Sequence, residues 1–268
     1  MTAPAAWLRP DWGLDSVGAL MTTRAGGRST GPFASMNVHS EVGDDPGAVA
    51  SNRALFAAAI GAAPVFLHQV HGTRVARIGV ADTLPGATIH AADAAVTSEP
   101  GVACAVMVAD CLPLLFAAGN GGAVGAAHAG WRGLAAGVVE ATVQSVCDAA
   151  GCAPADVVVW LGACIGPVAF EVGADVLEAF GADASAHEAA VASAVESPRF
   201  RPGRPGRWLA DLPQLARDRL LAAGVTQVSG GGYCTVTEAS RFFSFRRSGV
   251  TGRMVAAVWL DSIGRARG

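Results

Sequence analysis

At 268 residues, 51% of them hydrophobic and 15% charged, the chain can bury a large core and falls outside the composition of disordered segments. A net charge of -3 without a long basic run leaves no nucleic-acid footprint, and no window holds the ~18 uninterrupted apolar residues of a membrane helix. All 19 basic residues are Arg, which excludes a Walker phosphate loop, Schiff-base chemistry and pyridoxal chemistry, each of which needs Lys. The first ten residues carry no apolar signal core, so a cytoplasmic protein is expected. Six cysteines (Cys104, Cys111, Cys147, Cys152, Cys164 and Cys234) contain no Cys-x-x-Cys pair, hence neither a zinc ribbon nor a disulfide framework.

In chain order, Val17–Thr23 reads as a strand ending in Thr22-Thr23-Arg24-Ala25-Gly26-Gly27, which leaves Arg24 at the strand end. Asn37 and His39 follow as polar groups in an apolar loop. Pro46–Ala59 is expected to be a helix, with Asp44 or Asp45 as N-cap and Gly61 as its stop. Val65–Ile78 reads as a strand or strand pair. Period-two alternation sends His68 and His71 to opposite faces, so at most one serves a given site; His71, before the bend at Gly72, is favoured. Ala92–Thr97 is a short strand, and Val102–Phe116 is two apolar strands around Asp110-Cys111. An acid buried beside a thiol is costly unless paired or bound. Cys111 is therefore read as a ligand or nucleophile, and Cys104 as core.

Gly122–Gly133 reads as strand, tight turn and helix start, with His128 at the strand end. Glycine lets the backbone approach a ligand there, and the first N–H groups of the following helix can take an anion. The bland alternative is a packed turn around a buried, hydrogen-bonded His. The helix is expected over Gly133–Ala150, with Leu134, Val138, Val139, Val143, Val146 and Cys147 inward. Asp156–Leu161 is a β-branched strand, followed by a glycine-punctuated loop over 162–173 and a helix Asp175–Phe180; Glu188–Val195 continues in helical style. Ser197–Gly206, rich in Pro and Gly, is expected to lack regular structure, either as a lid or as a plain exposed connection. Asp211–Ala222 is a helix with Asp211 as N-cap and Pro213 in its first turn, and Val225–Ser229 and Met254–Leu260 are strands. Arg241–Ser248 alternates aromatic and basic groups, as an anion-binding or base-stacking edge or else an edge strand with solvated arginines.

His71, Cys111 and His128 each sit at the end of an apolar strand beside a turn, and three strand ends can converge on one pocket. Two imidazoles and one thiolate make a three-ligand set for zinc that leaves a fourth position for water or substrate.

Five motifs fall in order: Thr-Thr-Arg-Ala-Gly-Gly at 22–27, His-Gln-Val-His-Gly at 68–72, Ala-Asp-Cys-Leu-Pro at 109–113, Ala-Ala-His-Ala-Gly-Trp-Arg-Gly at 126–133 and Gly-Ala-Cys-Ile-Gly-Pro at 162–167. Together they closely resemble the YfiH-like family, long labelled polyphenol oxidase or laccase-domain proteins and later purine nucleoside phosphorylases. The resemblance spans about Val17 to Leu260. It implies zinc on His71, Cys111 and His128, and a mixed α/β fold: a layered α/β/β/α sandwich of two similar halves, here a single compact domain over 1–268. It further implies phosphorolysis of adenosine, inosine, guanosine and methylthioadenosine, plus adenosine deamination, with nucleoside and phosphate as the only partners of an expected monomer. Phe170 stands where many relatives have Tyr, which puts a hydroxyl role there in doubt, and Ala163 stands where Pro is usual.

Phosphorolysis needs an anion site beside the metal. Arg24, Asn37 and Arg132, with the backbone after Gly130, are the candidates, and Arg246 and Ser244 belong to the substrate's outer shell. Asp110 is a candidate general acid/base, provided a bulge or turn brings it to the same face as Cys111; its other role is to cap N–H groups of the turn. Two further classes stay open: a copper-dependent polyphenol oxidoreductase, and a cysteine hydrolase using Cys111 with His128 as base. Six histidines are few for the blue-copper and trinuclear sites of a multicopper oxidase.

Overall fold

The apolar run Val102–Phe116 forms two strands that belong to different sheets. In a computed structural model that describes residues 4–182 and 199–261, β5 (Val102–Val108) joins a four-stranded sheet with β1 (Val17–Met21), β2 (Ala63–Phe66) and β13 (Met254–Leu260), in the order β1-β13-β5-β2. The strand β6 (Leu112–Ala118) lies inside a six-stranded sheet with β3 (Val75–Arg77), β4 (Ala94–Thr97), β7 (Val124–Ala129), β8 (Val157–Leu161) and β12 (Gln227–Gly230), in the order β12-β8-β6-β7-β4-β3. Every residue of β5 and β6 is buried, because both faces of each sheet are covered.

Alternation along these two strands defines the layers. Cys104, Val106 and Val108 face the space between the sheets, together with Leu115, Trp160 and Val258. Ala103, Ala105 and Met107 face the other way, towards Phe56 and Ile60 of α1 (Pro46–Ile60). Leu112, Leu114 and Phe116 pack on the helical layer of α2 (Trp131–Ala136), α3 (Val138–Ala150), α4 (Ala174–Ala179) and α5 (Leu212–Ala222). The result is the expected α/β/β/α sandwich. Each half is a sheet with helix on its outer face, but the halves differ in size, four strands against six. Among the described residues, no helix is long and apolar enough to cross a membrane.

Local signals fix the helix ends. Asp45 accepts from Ala48 N at 2.7 Å and Gly61 ends α1 at φ 65°, and Asp211 accepts from Gln214 N at 2.9 Å at the start of α5. The helix expected over Gly133–Ala150 is two helices. Gly137, at φ 104°, breaks it, since a left-handed residue cannot continue an α-helix.

Three expectations are corrected. Residues 67–74, expected within a strand or strand pair, leave the sheets, because β2 pairs with β5 in one sheet and β3 pairs with β4 in the other. Within Ser197–Gly206, expected to lack regular structure, residues 200–202 form a strand: β10 (Phe200–Pro202) pairs with β11 (Trp208–Ala210), which pairs with β9 (Glu171–Val172), while residues 203–206 lie in the irregular turn between them, as expected. Pro202 is tolerated as the last residue of a strand that pairs on one side only. Arg241–Ser248 is no strand edge. Phe242 and Phe243 are buried, and the short helix α6 (Phe245–Ser248) follows, with Arg247 donating to the carbonyls of Thr235, Val236 and Phe242. The helical reading of Glu188–Val195 and the first two residues of Ser197–Gly206 lie outside the described residues.

Candidate metal centre

The chain passes between the four- and six-stranded sheets at β2–β3, β4–β5, β5–β6 and β12–β13, and two of these crossings, β5–β6 and β2–β3, hold candidate ligands of one site. The β5–β6 crossing holds Asp110 and Cys111, with Asp110 at φ 97°. The β2–β3 crossing holds His71, at φ 61°. Such values cost a non-glycine residue on the order of 1–3 kcal/mol and persist where surrounding contacts over-determine them. His71 thus sits in a crossing loop, not at a strand end as expected. His128 is the penultimate residue of β7, opposite Pro113 of β6, which brings it beside the Cys111 turn.

The determinant of the His71 loop is a residue the sequence reading passed over. Asp93, fully buried at the head of β4, accepts from the backbone N–H of Val70 (3.1 Å), His71 (2.9 Å) and Gly72 (2.7 Å). It also accepts from Nδ1 of His128 at 2.8 Å. One carboxylate therefore holds one histidine by its backbone and the other by its ring. The signal was present, because Asp93 is an acid inside an apolar strand, the same feature that singled out Asp110.

The ligand atoms of His71, Cys111 and His128 all lie within 4.8 Å of one another. Cys111 Sγ is 3.9 Å from His71 Nε2, and the two imidazoles meet edge to face with centroids 4.8 Å apart. Two donors at zinc bond lengths of about 2.1 and 2.3 Å subtend roughly 3.6 Å in a tetrahedral site, so the set needs little closure. A Cβ on Gly130 would stand 2.9 Å from His71 Cδ2 and 3.1 Å from Cys111 Sγ, so only glycine leaves the space open. Burial pushes the Cys111 thiol up, but the charge and hydrogen bonds of His128, with those of His71, outweigh it and bring it down to about 6. Burial lowers His128, yet Cys111 and Asp93 raise it to about 9. The donor set fits a borderline-soft divalent ion: a stabilised thiolate, and a histidine whose Nδ1 is committed to Asp93 so that Nε2 is the donor.

A pH dependence follows. Between about 6 and about 9 the free site carries a thiolate and an imidazolium, and ion binding must expel the His128 proton. Apparent zinc affinity is expected to rise about tenfold per pH unit across that window, to flatten above it, and to fall more steeply below it as Cys111 also protonates. Chelator competition at several pH values checks this; a pH-independent affinity would contradict the assignment.

A cavity of about 210 Å³ opens on the site, lined by His71, Asp110, Cys111 and Gly130 on one side and Trp131, Arg132, Phe170, Phe245 and Arg246 on the other. Arg132 lies 4.3 Å over the Trp131 ring, and Arg246 lies 5.4 Å over Phe170 while donating to Glu171 O at 3.0 Å. The other expected anion ligands, Arg24 and Asn37, and the expected outer-shell residue Ser244 do not line this cavity. Arg24 spends its guanidinium on Ala34 O (3.0 Å) and Ala239 O (2.9 Å) and stacks on Phe243. Asn37, fully buried, bonds His39, Asp44 and Arg253 N. Ser244 caps α6 by accepting from Arg247 N. These three tie loops together, and Arg132 and Arg246 are the cations the structure brings to the pocket.

Fold and site define a class: a two-sheet α/β sandwich that carries a His–Cys–His donor set where the chain crosses between its sheets. Residues 18–261 match the family described as multi-copper polyphenol oxidoreductase laccase, and the chain belongs to that family. It is 49% identical over 258 residues to a Pseudomonas aeruginosa protein named purine nucleoside phosphorylase, covering 96% of this chain and 99% of the relative. Escherichia coli YfiH, also named purine nucleoside phosphorylase, is 46% identical over 247 residues, covering 91% of this chain and 94% of YfiH. The solved structure of YlmD from Geobacillus stearothermophilus superposes with a TM-score of 0.85 at 34% identity, covering 98% of each chain.

Proposed function

We propose that this protein is a zinc-dependent purine nucleoside phosphorylase, acting on adenosine, inosine, guanosine and methylthioadenosine, with adenosine deaminase activity. The observation that carries the reading is that His71 and Cys111, which share a donor set with the buried His128, line one cavity together with two arginines and three aromatic side chains. Similarity to relatives named purine nucleoside phosphorylase supports it. Zinc held by the three ligands supplies Lewis-acid polarisation of an oxygen nucleophile. Arg132 and Arg246 bind phosphate through charge-assisted bonds, and Trp131, Phe170 and Phe245 flank the purine. A phosphate oxygen bonds to the anomeric carbon as the glycosidic C–N bond breaks, its electron pair leaving with the purine, which takes up a proton. The partners are nucleoside and phosphate, with a cytoplasmic monomer as the working form.

The test is base release from inosine with and without phosphate, alongside ammonia release from adenosine. Phosphate-dependent base release with a matching yield of sugar phosphate is expected. Equal release without phosphate would make the enzyme a hydrolase, and no release would remove the nucleoside reading.

One observation favours a second reading. Cys111, His128 and Asp93 have the order of a nucleophile, its base and the carboxylate that orients the base, and the thiol is already lowered to about 6. A cysteine hydrolase would have this arrangement. His71, the second imidazole 3.9 Å from the sulfur, has no part in such a triad and favours an ion instead. Alkylation separates the two: a metal ligand resists iodoacetamide until a chelator is added, whereas a free nucleophile reacts without one. The copper alternative rests on the family's description. Against it, one cluster among the described residues can hold a metal, and His90 is paired with Asp82. Metal analysis after purification without added metal decides between zinc and copper.

A further inference from the structure

We propose that Asp110 is a positioning residue that, with Thr235, fixes Arg246 at the metal centre, and that Arg246 is the phosphate-orienting cation of the site. The kinetic part of this rests on the phosphorylase reading.

Three segments distant in sequence from Asp110 meet on this one residue, two of them at its carboxylate and one at its backbone carbonyl. Asp110 Oδ1 accepts from the Thr235 hydroxyl at 2.6 Å, and Oδ2 accepts from the backbone N–H of Arg246 at 2.6 Å. Its carbonyl accepts from Ile165 N at 2.8 Å, which ties the glycine-punctuated loop to the same turn. These bonds hold Asp110 at φ 97°, a conformation that non-glycine residues rarely adopt without such support. Arg246 is thereby fixed at both ends. Its backbone is held by Asp110, and its guanidinium rests over Phe170 and donates through Nη1 to Glu171 O. The remaining guanidinium N–H groups bond no protein atom among the described residues, and Arg246 lines the metal cavity. Because Cys111 follows Asp110 directly, the same tie fixes the spacing between the cation and the thiol ligand.

A proton relay uses the carboxylate differently. It requires a lone pair of one oxygen to be turned to the substrate, beyond the short bond that each oxygen already accepts in shaping the pocket wall. Asparagine separates the two roles. Its carbonyl oxygen can take the Arg246 N–H while its NH2 donates to Thr235, whose hydroxyl both donates and accepts. Asp110→Asn therefore keeps the tie and removes the titratable group. Asp110→Gly adopts the backbone conformation freely and removes the tie.

Zinc-loaded wild type, D110N, D110G, T235V and T235S are compared for kcat and for the KM of inorganic phosphate. D110G is expected to raise the phosphate KM about tenfold or more with a smaller change in kcat, T235V to raise it less, and T235S to restore it. D110N is expected to stay within about threefold of wild type in phosphate KM. A kcat in D110N as low as in D110G, with phosphate KM unchanged in both, would overturn the positioning role. Amide hydrogen exchange at Arg246 tests the tie without any substrate: slow in wild type and D110N, fast in D110G. Equal exchange in wild type and D110G would also overturn it. Phosphate-independent turnover in the wild type would sink the phosphorylase reading instead, with the exchange measurement still deciding the tie.

Discussion

Replacing Cys111 with Ala is expected to empty the site of zinc and to lower turnover by about a thousandfold or more, while the protein stays folded. The size of the effect follows from what the sulfur supplies. Cys111 is the anionic member of the donor set, flanked by two imidazoles that hold it as a thiolate near neutral pH. Without it two neutral nitrogens remain, and zinc loses its softest and most strongly held ligand. Lewis-acid stabilisation worth several kcal/mol then disappears, and each ~1.4 kcal/mol is tenfold in rate. The fold survives because Cys111 is half-buried in a turn and its sulfur anchors no backbone group, while Leu112 and Leu114 carry the local packing. Metal content by mass spectrometry, circular dichroism and nucleoside turnover are the readouts. Full zinc occupancy in the variant would sink the ligand assignment.

What could be read from sequence was what depends on neighbours along the chain. Asp45 and Gly61 mark the ends of α1 because a cap and a left-handed stop are local devices. The polar break at Asp110-Cys111 in an apolar run pointed to the centre because a buried acid and thiol need partners. What could not be read was which partner. Arg24 and Asn37 carry the same signal, a polar group in apolar surroundings, yet their partners are carbonyls and side chains of adjoining loops. Sequence shows that a polar group must be satisfied and not whether protein or ligand satisfies it. The crossing of residues 67–74 between sheets was hidden for a related reason. Strand periodicity describes one strand's faces, whereas the change of sheet depends on pairing with β5 and β4, residues 102–105 and 94–96.

Asp93 tests this reasoning most severely, and Asp93→Asn is expected to be about as damaging as Asp93→Ala. The carboxylate is fully buried and accepts four hydrogen bonds, Oδ1 from His71 N and His128 Nδ1, Oδ2 from Val70 N and Gly72 N. Burial alone would raise its pKa, but these bonds, led by the one from His128, hold it below the usual carboxylate range. The stability it contributes is present at neutral pH and is lost as pH falls through that lowered value. Asparagine has one acceptor oxygen where the site needs two. Turned one way, its NH2 faces the N–H groups of Val70 and Gly72, leaving buried donors unpaired at about 1–3 kcal/mol each. Turned the other way, its NH2 donates to His128 Nδ1, which moves the imidazole proton to Nε2, the nitrogen the metal needs. Neither orientation satisfies the His71 loop and the His128 tautomer together. Zinc affinity is expected to fall about 10–100-fold in both variants, the usual range for removing the partner of a ligating histidine. The metal-free proteins should also melt earlier than metal-free wild type. Chelator competition and thermal unfolding measure the two effects. Wild-type zinc affinity in Asp93→Asn would show that the carboxylate orients neither histidine, and the donor geometry would then have to be set by the crossing turns alone.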